Sequence, residues 1–263
     1  MSCVERYAVG YLEISCSEDV SRQAVVCSHE RSGTHFLMNA LTLNSAYTNV
    51  PLVNFDVMSL GPAVNFSYSE NIHKFMGFLA ERRCSSLIKT HHSAEFFQTP
   101  DGELAVGDSA RVFYLVRDPV DVMLSFQRFV DHHPWHEGPA CEDITAFMTA
   151  RPEGNMLRYQ FRQQATVLDR WKTHVLGWLD LAARSPNVMI VPYRVLDEVY
   201  ETQMQQVLGF VDQASPEHPV RPDPINFTVY VPGKQTLPAE ERARLRAFVK
   251  QRLDTDALDR FII

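Results

Sequence analysis

Along the chain, short apolar runs alternate with longer segments in which apolar side chains return every three or four residues. Residues 24–28, 86–89, 111–116 and 187–192 are the short runs and predict buried strands, with a further short edge strand over 7–14. Helices are predicted over 34–43, 70–83, 163–184, 197–211 and 238–253, with a shorter one over 143–149. The stripe Ile72, Phe75, Met76, Leu79 carries the second of these. Val167, Trp171, Leu176, Trp178 and Leu181 carry the third, a spacing that predicts core packing for both tryptophans. Loops are expected over 49–65, where Pro51, Gly61 and Pro62 interrupt any regular element, and over 99–108 and 131–142; these would shape a ligand pocket. No internal repeat occurs. Strand and helix in alternation predict an α/β fold over 1–263 as one domain, a central parallel sheet with helices on both faces. In such a sheet ligands lie at the carboxyl ends of the strands.

Two of the strands run into turns that carry chemistry. After Ala24-Val25-Val26-Cys27 comes Ser28-His29-Glu30-Arg31-Ser32-Gly33-Thr34-His35-Phe36. After 112–116 comes Arg117-Asp118-Pro119, and then Ser125 roughly two helical turns on. Each reads as strand, tight polar turn and helix start, which turns backbone N–H groups and a positive dipole end toward an anion. Gly33 lets the backbone approach a phosphate, Ser32 and Thr34 add hydroxyls, and Arg31 adds a planar cationic fork. The loop is not a Walker A: Ser28 stands where a glycine is needed, and Arg31-Ser32-Gly33-Thr34 replaces the Gly-Lys-Ser/Thr ending. An ordinary turn capped by Ser32 is the bland alternative. In the second turn Asp118 is the expected N-cap and Pro119 the first helical residue, with Arg117 and Ser125 able to share one anion. A structural Arg117–Asp121 pair is the other reading there. Two such turns, each with its arginine, suggest a ligand with phosphate groups at both ends.

These residues resemble the sulfotransferases that use 3′-phosphoadenosine-5′-phosphosulfate (PAPS), specifically the cytosolic type. His29 to Phe36 is similar to that family's 5′-phosphosulfate loop, Tyr-Pro-Lys-Ser-Gly-Thr-Thr-Trp, and Arg117 with Ser125 is similar to its 3′-phosphate segment. Leu87-Ile88-Lys89-Thr90-His91 resembles the stretch with its catalytic lysine and histidine. Arg31 stands for a lysine, His35 for a hydroxyl residue and Phe36 for a tryptophan that stacks on adenine. Tyr193 resembles the tyrosine near the adenine, although a core tyrosine reads equally well. Gly233 and Lys234 resemble a late Arg-Lys-Gly loop, with Pro232 where its arginine would be.

The resemblance implies a P-loop-like sulfotransferase fold. It also implies transfer of a sulfuryl group from PAPS to a hydroxyl, or an amine, of a small or medium-sized acceptor. His91 is the expected general base, with Lys89 and Arg31 stabilising the departing oxygens and no metal needed. His92 is a rival base, but Lys89 and His91 share a strand face. The donor-binding residues implied are Arg31, Ser32, Gly33, Thr34, His35, Phe36, Arg117, Ser125, Tyr193, Gly233 and Lys234. A small-molecule kinase and a silent nucleotide-binding module are the alternatives; the missing Walker lysine disfavours the first, and Lys89 with His91 the second.

Composition narrows the setting. A net charge of −7 argues against broad binding to nucleic acid or anionic membrane, so any phosphate site must be a local basic pocket. Five scattered cysteines suggest reduced thiols in a cytoplasmic compartment. No apolar stretch reaches membrane-spanning length, and charge interrupts residues 1–16 too often for a signal peptide. The histidines of 131–137 fit no standard metal-ligand spacing. Neither the acceptor nor the oligomeric state can be read from the sequence.

Overall fold

The computed structural model describes residues 5–6, 13–56, 65–133, 136–223 and 237–262. Its centre is a five-stranded parallel sheet in the order β4-β5-β3-β6-β7. The strands are β3 (Gln23–Ser28), β4 (Thr48–Asn54), β5 (Ser86–Thr90), β6 (Ala110–Val116) and β7 (Val188–Pro192). A separate two-residue ladder pairs β1 (Glu5–Arg6) antiparallel with β2 (Glu13–Ile14).

The period-two alternation of each sheet strand divides the core into two layers. Val25, Cys27, Val112 and Tyr114 face one cluster, and Ala24, Val26, Phe113 and Leu115 face the other. The first layer is covered by α2 (Ser69–Glu81), α3 (Pro119–His132), α5 (Val167–Arg184) and α8 (Ala239–Leu253). The second is covered by α1 (Thr34–Asn44) and α7 (Tyr200–Phe210). The short helices α4 (Ile144–Thr149) and α6 (Tyr193–Glu198) complete the set. Trp171 and Trp178 are both fully buried, as the stripe predicted. Trp178 also stacks on Tyr114 with ring centroids 5.4 Å apart and donates its indole N–H to the His92 carbonyl at 3.2 Å, so core packing helps hold the site.

The structure corrects several sequence expectations. Residues 49–65 do not begin as loop: β4 occupies Thr48–Asn54 at the sheet edge. An edge strand tolerates Pro51 because only one side needs ladder bonds, and the register to β5 shifts between Thr48 and Val53. Residues 57–64 of that stretch lie outside the described ones, as do 7–12 of the predicted first strand. The helix expected over 163–184 starts at Val167, where Thr166 accepts from the Asp169 amide as N-cap. The helix expected over 197–211 is two, α6 and α7, divided at Val199. Asp131 and His132 extend α3 and do not open a loop.

β3 has β5 on one side and β6 on the other, while the connection through α1 and β4 leads one way and the later strands the other. The chain reverses its winding there, and the carboxyl end of β3 is therefore the crevice in which such sheets hold ligands.

Candidate active site

Beyond Ser28 the chain turns through two left-handed residues, Arg31 at φ 68° and Gly33 at φ 103°. The second must be glycine twice over: a Cβ there would lie 2.4 Å from Cδ2 of the Tyr193 ring. Gly33, not Ser32, is the N-cap of α1 and offers no side-chain cap; Phe36 donates to the Gly33 carbonyl at 2.9 Å, and among the described residues the Thr34 and His35 amides keep their donors for another acceptor. The Ser32 hydroxyl is buried and has no hydrogen-bond partner among the described residues, while Thr34 pairs with the Ser28 hydroxyl at 2.6 Å. A buried donor without a partner is costly, and at a helix N-terminus it marks a place for an anion.

The back of this loop is clamped. Arg170, from α5, donates two bonds to the Glu30 carboxylate at 2.7 and 2.8 Å, and a third at 2.7 Å to Nε2 of His29. Burial is the main force on His29, lowering it to about 4; the neutral ring then accepts from Arg170 and donates its Nδ1–H to the Glu30 carbonyl. Burial opposes ionisation of Glu30, but Arg170 and His29 outweigh it and hold the carboxyl far below the usual range. His174 continues the network, accepting from the Tyr114 hydroxyl at 2.8 Å and donating to the His91 carbonyl at 3.0 Å.

The second turn folds as its sequence predicts. The Asp118 carboxylate accepts from the Val120 amide at 2.8 Å, and Pro119 opens α3. Ser125 sits two turns along and accepts from Nε of Arg31 at 3.1 Å, so the two turns meet through these side chains. Arg117 donates to the Arg31 carbonyl at 3.4 Å and lies 4.8 Å above the Tyr193 ring. Its carboxylate neighbour Asp121 is 3.9 Å away and is more closely held by Arg242, at 2.7 Å. Arg31 has no carboxylate partner among the described residues; it rests 5.0 Å over the Phe129 ring. Burial, and then the charges of Arg117 and Arg128, act on its guanidinium. Both turn arginines therefore gather at one end of the crevice, beside Ser125. Phe36 meets Tyr193 edge-on at 6.0 Å, close to the same arginines.

At the end of β5 stand Lys89 and His91, and between them is a residue the motifs did not point to. Asp56, just past β4, forms a close ion pair with Lys89. It also accepts the His91 backbone N–H at 2.8 Å and lies 3.6 Å from Nε2 of the His91 ring. Nδ1 of that ring is 2.8 Å from the Ser28 carbonyl, which can only accept, so Nδ1 carries the proton and Nε2 keeps its lone pair. Burial pushes the His91 imidazole below its ordinary 6.5 against the pull of Asp56. Burial raises the Asp56 carboxyl, and the neighbouring His91 and Lys89 outweigh it, leaving Asp56 below the usual range. His35 joins the cluster from α1, lowered to about 4 first by burial and then by Lys89 and His91. His92 points away: it is buried and bonded to the Thr90 hydroxyl at 2.8 Å.

The structure thus brings together Arg31, Ser32, Gly33, Thr34, Phe36, Arg117, Ser125 and Tyr193 around one crevice, with Lys89, His91 and His35 beside it. Gly233 and Lys234 lie outside the described residues. Asp56 was missed because it follows an apolar edge strand read as loop. Arg170 and His174 were missed because a four-residue spacing on a helix looks like ordinary amphipathicity.

An α/β sheet with a glycine loop, a converging arginine pair and a Lys–Asp–His group defines an enzyme of anionic group transfer. The family model for the sulfotransferase domain matches residues 21–224, and the chain belongs to that family. Among solved structures, the mouse sulfotransferase SULT7A1 complexed with PAP aligns at a TM-score of 0.50 and 16% identity, over 81% of this chain and 71% of that one. A retinol dehydratase in complex with androsterone and inactive cofactor PAP aligns at 0.48 and 13%, over 82% and 70%. A sulfotransferase from Alicyclobacillus acidocaldarius aligns at 0.47 and 11%, over 89% and 96%. No curated protein sequence matches significantly. Among the described residues no helix is long and apolar enough to cross a membrane.

Proposed function

We propose that this sulfotransferase takes its sulfuryl group from PAPS and delivers it to an acceptor hydroxyl, with His91 as general base. The observation that carries the reading is the tautomer of His91: Nδ1 is tied to the Ser28 carbonyl and Nε2 is left basic beside Lys89 and Asp56.

The donor suits the residues present. The orphaned Ser32 hydroxyl and the α1 amides would hold the 5′-phosphosulfate, and Arg31, Arg117 and Ser125 the 3′-phosphate. Phe36 and Tyr193 offer rings for the adenine. The bound donor supplies an electrophilic sulfur joined to a phosphate leaving group. Nε2 of His91 takes the acceptor proton, and the resulting imidazolium gains the Asp56 carboxylate 3.6 Å away. Lys89 provides positive charge for the oxygens that become anionic, whereas Arg31, expected from the motif to share that task, is turned to Ser125 at the 3′-phosphate end. Asp56 is the positioning residue: its two oxygens fix the backbone of His91 and the ammonium of Lys89. These cations supply the charge that a metal would otherwise bring.

The test has two arms. PAP raises the melting temperature without magnesium, whereas ATP with magnesium does not; the reverse would favour a kinase. Radiolabelled PAPS then gives acceptor sulfation that His91→Ala lowers by about 10²–10⁴-fold while PAP binding persists. Wild-type turnover in that variant would overturn the role of His91.

A further inference from the structure

Two cysteines far apart in the sequence, Cys16 and Cys84, meet just ahead of β5 as an isolated antiparallel bridge. The hydrogen bonds that make the bridge come from the residues on either side. The Ser17 amide donates to the Arg83 carbonyl at 3.2 Å, and the Ser85 amide donates to the Ser15 carbonyl at 2.8 Å. Cys16 and Cys84 therefore occupy a non-hydrogen-bonded position of the ladder, the closer of its two kinds of opposed pair, with Cα atoms about 4.5 Å apart. Disulfides span Cα separations of about 4.4–6.8 Å, so the backbone already lies at the short end of that range.

The side chains agree with the backbone. Directly opposed residues share a face, and here both pack on one layer: Cys84 belongs to the large core cluster and Cys16 rests against it. Both carry thiols in this structure. The register is pinned by a third bond, from the Ser15 amide to the Ser86 hydroxyl at 2.9 Å. The two sulfurs differ in setting. Cys84 is fully buried, and burial pushes its thiol up to about 11, whereas Cys16 is half-buried.

We propose that Cys16 and Cys84 form a reversible oxidation site, joined as a disulfide by a small hydroperoxide such as hydrogen peroxide, which staples the amino-terminal segment to the strand carrying Lys89 and His91. Cys16, the more accessible, attacks one peroxide oxygen as its thiolate. The O–O bond breaks, the departing hydroxide takes up the thiol's proton as water, and Cys16 becomes a sulfenic acid. The sulfur of Cys84 then attacks Sγ of Cys16, and its proton leaves with the sulfenic hydroxyl as a second water. Two thiols are oxidised and one peroxide is reduced. The new bond closes residues 17–83 into a loop and restricts the unfolded chain. It lies at the amino end of β5, while Lys89 and His91 stand at the carboxyl end, so the fold is hardened and the site is left as it was.

The experiment treats the full chain with hydrogen peroxide, stops the reaction with catalase, alkylates in denaturant and maps the peptides without reduction. Cys16 and Cys84 appear in one linked peptide and escape alkylation. The melting temperature rises by about 5–15 °C and returns to its starting value on reduction with dithiothreitol. Cys16→Ser, at the half-buried position, abolishes both the link and the rise, and PAP stabilises the oxidised and reduced wild type alike. Alkylation of both cysteines after peroxide, Cys16 carried on to its sulfinic acid without a link, or Cys16 joined to a different cysteine would each overturn the proposal. A Cys16–Cys84 link that leaves the melting temperature unchanged would overturn the stapling role.

Discussion

Glu30 and Arg31 are neighbours in one loop, and their charges meet opposite fates. Glu30 turns inward and is neutralised by a two-pronged Arg170, which also donates to His29. Arg31 turns outward to a hydroxyl and an aromatic face, near Arg117 and with no carboxylate of its own among the described residues. A buried charge with a complete set of partners fixes a backbone; cations gathered in excess of carboxylates leave work for a ligand. The loop is thus divided into a structural back and a binding front.

That division is breakable by experiment. The largest effect is expected at the back: Arg170→Met strands the Glu30 carboxylate and costs about 3–5 kcal/mol in urea denaturation, and adding Glu30→Met recovers most of the loss. The same region makes stability depend on pH. His29 is held neutral at about 4 against an ordinary 6.5, so the unfolded chain binds the extra proton between those values. Stability is full above about pH 6.5 and falls as pH drops toward 4, by on the order of 3 kcal/mol from His29 alone. Denaturation at pH 7 and pH 4.5 reads this directly. At the front the pattern inverts: Arg31→Ala changes stability little but weakens PAP by about 10- to 100-fold in calorimetric titration.

The smallest effect sharpens the third part of the site. Asp56→Asn keeps the shape but removes the charge that lifts His91 and steadies its imidazolium. We expect a roughly tenfold lower kcat with PAP affinity preserved, and an acid limb of the pH–rate profile moved to lower pH. A merely structural Asp56 would leave that limb in place. In the wild type the limb falls below 6.5, because burial lowers His91.

What the sequence revealed follows this division too. Groups that act through local chain geometry were legible: Gly33 in its left-handed turn, Asp118 and Pro119 at a helix start, and the alternating strands of the sheet. So was Lys89 with His91, two residues apart on one strand face. Groups joined across long separations were not. Arg170 reaches Glu30 across 140 positions, and Asp56 reaches Lys89 across 33, through packing that no local pattern encodes. The strand carrying Asp56 was further hidden by Pro51, which reads as a breaker unless the strand is known to be at an edge. The convergence of Arg31 on Ser125 also depends on β3 and β6 lying side by side in the sheet, information held by the core and not by either motif.

The most direct test of the account is a comparison of PAP with 5′-AMP, which differ only in the 3′-phosphate, on wild type and on Arg117→Ala. If the gathered arginines hold that phosphate, wild type binds PAP at least about tenfold more tightly, and Arg117→Ala loses most of the preference while binding 5′-AMP as before. Equal affinity of wild type for the two nucleotides, or a preference untouched by Arg117→Ala, would contradict it.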